Sequence, residues 1–264
     1  MARVIAVTNQ KGGVGKTTTC VNLAASLAAT RRRVLLVDMD PQGNATMGSG
    51  VDKNALELSG YDVLTKRASP AEVIVKTDAS GFDLLPANGD LTAAEVELMN
   101  EIGREHRLRL ALNSVRENYD YILIDCPPSL NLLTVNSLSA ADSVLIPMQC
   151  EYYALEGLAA LMNTVEQIKE TVNPNLEIEG ILRTMYDPRN SLTLDVSGQL
   201  SEYFGEKVYR AVIPRNVRLA EAPSYGMPAL AYDKTSKGAG AYLALAGEMV
   251  RRHGSKKTSA AVAV

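Results

Sequence analysis

Residues 9–19, Asn-Gln-Lys-Gly-Gly-Val-Gly-Lys-Thr-Thr-Thr, constrain the fold of this chain more than any other stretch. The apolar run 4–7 before them reads as a buried strand. Residues 18–29 after them combine helical spacing with good helix formers. A strand, a glycine-rich turn and a helix N-terminus in that order make an anion site, because backbone N–H groups converge there and the helix dipole favours negative charge. Gly12, Gly13 and Gly15 permit close backbone approach and positive φ. Lys16 is spaced to reach the β- and γ-phosphates of a nucleotide, and Thr17 to offer its hydroxyl to Mg²⁺. Residues 12–18, with Val14 and Thr18 completing the turn, read as a phosphate-binding loop.

Short apolar runs alternate with helical segments along the rest of the chain. Strands are expected at 34–37, 82–86, 121–125, 143–147, 178–182 and 208–213. Helices are expected at 70–76, 91–118 (with Thr92 as cap and Glu95 three residues on), 132–141, 154–172, 194–204 and 234–252. Such alternation predicts an α/β fold, doubly wound, with a mostly parallel sheet and helices on both faces. We read residues 1–252 as one domain and 253–264, rich in Ser, Lys and small residues, as a disordered tail.

Acids stand at the carboxyl ends of two of these strands, where parallel sheets bind ligands. Asp125 closes the run 121–125 and fits the acid that holds the Mg²⁺ shell. Asp38 and Asp40 follow the run 34–37, and alternation puts them on one side. Composition narrows the remaining classes. The net charge of −3 excludes a generally basic nucleic-acid binder, so any DNA affinity must come from a local or composite patch. No apolar run is long enough to span a bilayer, and a cytosolic protein is expected. Cys20, Cys126 and Cys150 lack metal or disulfide spacing and read as structural.

The loop departs from the standard G-x-x-x-x-G-K-[ST] pattern, since Gln10 replaces its first glycine and Lys11 adds a second lysine. In this it resembles the deviant phosphate loop of the ParA/MinD class of P-loop NTPases. Longer runs, 147–157 and 213–223, resemble chromosomal ParA/Soj proteins in particular, and the likeness covers nearly the whole chain. The resemblance implies an ATPase using ATP/ADP and Mg²⁺. It gives Lys11, Lys16 and Asp40 catalytic parts: Lys11 reaches the partner subunit's nucleotide in an ATP-bound homodimer, and Asp40 orients the attacking water. Asp38, Thr17 and Asp125 are implied around the metal, and Pro214 and Asn216 against the base. Residues 38–44 and 126–129 match the two switch segments.

The resemblance further implies non-specific double-stranded DNA binding through Arg189 and Arg218, a centromere-binding partner of the ParB type that stimulates hydrolysis, and a nucleoid-associated cytoplasmic protein. With nothing before the first strand, no separate DNA-reading domain is expected. A MinD-like membrane ATPase is the rival reading. The tail lacks the large apolar residues that a membrane-lying helix needs, so no membrane partner is expected. A cluster-binding reading would require Cys126 or Cys150 as ligands.

Overall fold

A computed structural model describes residues 1–77 and 79–262, with side chains described as far as Gly254. Eight strands form one sheet in the order β3-β4-β2-β5-β1-β6-β7-β8: β1 (Arg3–Val7), β2 (Val34–Asp38), β3 (Val75–Lys76), β4 (Asp83–Leu85), β5 (Tyr121–Asp125), β6 (Ser143–Gln149), β7 (Glu177–Tyr186) and β8 (Val208–Pro214). Every pairing is parallel except β3 with β4.

Strand alternation decides which helices cover which face. Val4, Ala6, Leu35, Val37, Ile122 and Ile124 enter one buried cluster, with Leu98, Leu108, Leu133, Leu158 and Leu161 from the chain packed over them. Ile5, Val7, Leu36 and Leu123 enter the other, with Cys20, Leu23 and Leu27 of the helix Lys16–Ala29 and Tyr242 and Leu245 of the helix Lys237–Val262. The central strands are thus buried on both sides and read as continuous apolar runs. Continuing the alternation past Val37 and Ile124 puts Asp38 and Asp125 on the face of the first helix.

Three expectations are corrected. The segment expected as one helix over 91–118 is broken into Leu91–Glu97, Arg107–Asn113 and short 3-10 turns. Gly103 takes φ +69° there, a left-handed backbone that ends a helix, and Ile102 beside it is fully exposed. Thr92 does not cap; Asp90 holds that position without a side-chain bond. The helix expected over 70–76 stops at Val73, and Val75–Lys76 adds a short antiparallel edge strand. The last helix runs Lys237–Val262, past the boundary expected near Arg252. The expected tail falls largely outside the residues whose side chains are described.

The other edge strand, β8, carries a bulge: Ile181 pairs with Val208 but Arg183 with Val212. Two charged side chains satisfy the bulged backbone. Glu248 accepts from the N–H groups of Arg210 (3.0 Å) and Ala211 (2.9 Å). An Arg183 Nη2 donates to the carbonyl of Tyr209 at 2.7 Å and to that of Arg210 at 3.4 Å.

Candidate functional site

β1 runs into the glycine loop, and the first helix starts at Lys16 with Gly15 as its N-cap at φ +87°. Gly13 is also left-handed at φ +74°, whereas Gly12 is not. A Cβ built on Gly12 or Gly13 would meet nothing within 4 Å, so both glycines border open space. Three long-range hydrogen bonds pin the loop to the β6–β7 side of the sheet. Asn9 Nδ2 donates to the Pro147 carbonyl at 2.8 Å, and Asn9 Oδ1 accepts from the Lys11 N–H at 2.9 Å. Gln10 Nε2 donates to Thr164 Oγ1 at 3.2 Å, and the Thr184 hydroxyl donates to the Val14 carbonyl at 2.8 Å. Within the helix, Thr18 offers its carbonyl to Asn22 Nδ2 at 2.8 Å.

Lys16 is nearly buried, and its Nζ donates to the Lys11 carbonyl at 3.1 Å across the mouth of the loop. Burial lowers its pKa against the opposing pull of Asp125 and Asp40. Asp38 and Asp125 are Cα partners on neighbouring strands, and both are fully buried. Burial, then the Asp38 charge, push Asp125 up to about 8, against the opposing influence of the Thr17 and Cys20 side chains. Burial likewise pushes Asp38 up to about 6, although it accepts Thr46 Oγ1 (2.7 Å), Thr46 N (2.8 Å) and Asp40 N (3.1 Å). Asp40 lies half-buried on the same side, accepting the Gln42 N–H at 2.9 Å.

Asp125 uses one oxygen to accept the Cys20 thiol at 3.4 Å, while its buried Oδ2 has no hydrogen-bond partner. A buried carboxylate oxygen left without a partner, beside a second buried acid, a threonine hydroxyl and a lysine, fits a hydrated divalent cation. Among the described residues no group of three or more His, Cys, Asp or Glu side chains could hold an ion alone. The donor set therefore suits a cation shared with phosphate oxygens and water, as Mg²⁺ is usually bound.

A family profile described as an AAA domain matches residues 2–178. The sporulation initiation inhibitor protein Soj of Bacillus subtilis is 55% identical over 94% of this chain and 98% of its own length. The chromosome partitioning protein ParA of Caulobacter vibrioides is 52% identical over 98% of each. The chain belongs to the ParA/Soj family of partitioning ATPases. Among solved structures, the cobyrinic acid a,c-diamide synthase of Mycobacterium smegmatis, bound to an ATP analog and magnesium, matches with a TM-score of 0.85 at 39% identity over 97% of both chains.

In this ParA/Soj chain the other candidate residues lie at or just past the ends of β7 and β8. Tyr186 pairs with Pro214, so the segments after β7 and β8 leave the sheet together, at the end where the loop follows β1. Pro214 is half-buried; Asn216 caps the helix Val217–Glu221, its side chain accepting the Arg218 N–H at 3.1 Å. Arg189 is 88% exposed and paired with Asp187 at 2.8 Å. Arg218 is paired with Glu221 at 2.7 Å and Asp233 at 3.3 Å. Both arginines are surface cations paired with acidic neighbours.

Sequence reading missed the residues that hold the site together. Asn9, Thr46, Thr184 and the Cys20 thiol act through bonds to residues distant in sequence, or eight positions away for Thr46. Asn9 opens the 9–19 stretch and Thr46 lies two residues past the 38–44 segment, positions that could have signalled a part.

Proposed function

We propose that this chain is the nucleotide-switched DNA tether of a segregation system. The observation that carries the reading is the convergence of Lys16, Thr17, Asp38, Asp40 and Asp125 beside an open glycine cradle, with one buried Asp125 oxygen unpartnered. ATP sits with its phosphates on the N–H groups of residues 12–18 and its base near Pro214 and Asn216. Thr17 and the Asp125 carboxylate would hold a magnesium ion, with Asp38 shaping the turn beside it. When bound, the ion offsets the charge of the phosphates. Asp40 orients the attacking water, and Lys16 binds the transferring phosphoryl group.

Two copies close face to face on two ATP molecules, with Lys11 of each reaching the other's nucleotide. The closed pair presents Arg189 and Arg218 twice over and holds duplex DNA through phosphates without sequence preference. Doubling a weak patch is how an acidic chain achieves this. A ParB-type partner stimulates hydrolysis, the segments at 38–44 and 126–129 relax, and the copies separate. The protein then works in the cytoplasm, on the nucleoid. No described helix is long and apolar enough to cross a membrane.

The deciding experiment is binding to unrelated duplex DNA at two salt concentrations, with ATP, ADP or no nucleotide, using the wild type and Asp40→Ala. ATP-dependent, salt-sensitive binding that persists in Asp40→Ala supports the reading. Absence of binding in every state would overturn the DNA-tether role while leaving the nucleotide site in place.

A further inference from the structure

Lys11, the residue that sets this loop apart, already has a partner on its own chain. Its Nζ lies 2.5 Å from Oε2 of Glu151, with the two side chains 52% and 43% exposed. The contact is built into the backbone on both sides. Lys11 is fixed at its N–H by Asn9, which is itself bonded to Pro147 of β6, and at its carbonyl by Lys16. Glu151 stands just past the end of β6 in a tight turn: its N–H donates to the Gln149 carbonyl at 2.9 Å, and its carbonyl accepts from Ala154 N at 3.0 Å. The loop and the end of β6 are thus registered against each other, and the two side chains bridge what remains.

We propose that Glu151 is a positioning residue for Lys11: it holds the lysine ammonium in cis in the nucleotide-free chain and gives it up to a nucleotide phosphate when two copies close. The inference rests on the reading that Lys11 engages nucleotide across a subunit interface. The strength of the contact suits this part. A half-exposed ion pair contributes little to stability, because water and salt screen it and two long side chains must be ordered. Such a pair keeps the ammonium on its own subunit without blocking its transfer to a polyphosphate, which carries more charge. Glu151 therefore sets a threshold on closure. Removing its charge lowers that threshold, and two such pairs open per closed dimer.

Two measurements on the full-length chain test this. In the first, the ATP-dependent monomer–dimer equilibrium is followed by sedimentation with MgATP in the Asp40→Ala background, with and without Glu151→Gln. Two pairs of ordinary surface strength predict a dimer Kd lower by roughly 2- to 30-fold in Glu151→Gln, with the gain shrinking at high salt and vanishing when Lys11→Gln is combined with it. An unchanged or weaker dimer would overturn the proposal, the weaker one pointing to a contact of Glu151 across the interface. In the second, Lys11 acylation by an N-hydroxysuccinimide ester is timed by mass spectrometry in the nucleotide-free protein. Glu151→Gln should speed it by roughly 1.5- to 5-fold, and an unchanged rate overturns the cis contact. If the parent chain fails to dimerise with ATP, the sandwich reading fails on the first measurement, the inference that rests on it falls too, and the second still decides the cis contact.

Discussion

Asp38 and Asp125 stand side by side at the ends of two neighbouring parallel strands, paired Cα to Cα and shielded from solvent. Strand spacing brings them within about 5 Å at the backbone, so in the nucleotide-free chain each disfavours ionisation of the other. The site stores unfavourable electrostatics that a cation relieves.

Asp125→Asn should therefore stabilise the nucleotide-free protein while disabling it. Removing a carboxyl that must take up a proton to stay buried is expected to add about 1–2 kcal/mol, a rise of roughly 2–8 °C in Tm for a chain of this size. Magnesium-dependent ATP hydrolysis should fall by about 100-fold or more. Thermal melts with and without MgATP check both halves, and a lower Tm without nucleotide would make Asp125 a structural acid instead.

Thr184→Val keeps the shape of a buried side chain but leaves the Val14 carbonyl without its donor. The expected cost is about 1–3 kcal/mol of stability, with weaker nucleotide binding because the loop is less fixed. Hydrogen exchange should quicken at residues 12–16 while the amides of β1 stay protected. Uniform loss of protection across β1 would contradict a local effect.

Acid stability has its own determinant at the opposite end of the sheet. Burial alone would raise the Glu179 pKa, but hydrogen bonds from His253 (2.9 Å), Tyr209 (2.8 Å) and Ser143 (2.9 Å) prevail and hold it at about 2. A folded-state pKa below the unfolded value stabilises fully above the usual glutamate range and loses that contribution as pH falls toward 2. Glu179→Gln should cost about 3 kcal/mol at pH 7. Urea titrations between pH 7 and 3 should show the gap to wild type closing with acid; a constant gap would mean that the effect is one of packing.

The DNA-contact reading makes an asymmetric prediction, because Arg218 is already shared between Glu221 and Asp233. Arg218→Ala should weaken ATP-dependent DNA binding and reduce the log–log salt slope by about 1 for each arginine lost. Glu221→Gln, which frees the cation, should strengthen binding. Equal binding by both variants would remove Arg218 from the interface.

The central sheet and the phosphate loop were legible because their signals are local: apolar runs bounded by glycines and acids, and a lysine–threonine pair at a helix start. The alternation that puts Asp38 and Asp125 on one face follows from strand geometry alone. What stayed hidden depends on distant partners. Nothing near Lys11 announces Glu151, and nothing near Val14 announces Thr184, since each pair meets only once β1, β6 and β7 lie side by side. The break at Gly103 was missed because apolar residues recur on both sides of it at near-helical steps, and a lone glycine weakens a helical pattern without cancelling it. Asp187 and Glu221, which pair with Arg189 and Arg218, lie two and three residues away and were readable in principle, but spacing does not say whether two exposed charges will meet.

The closed edges of the sheet bear on what such a chain can do when crowded. At one end stands a two-residue strand, and at the other a bulge whose backbone groups are occupied by Glu248 and Arg183. An open edge would let neighbouring molecules zip together through main-chain bonds, a bond pattern indifferent to sequence and slow to undo. Here that route is blunted at both margins. On the proposed reading, self-association falls instead to side chains around the loop, a contact that a small molecule would make and break.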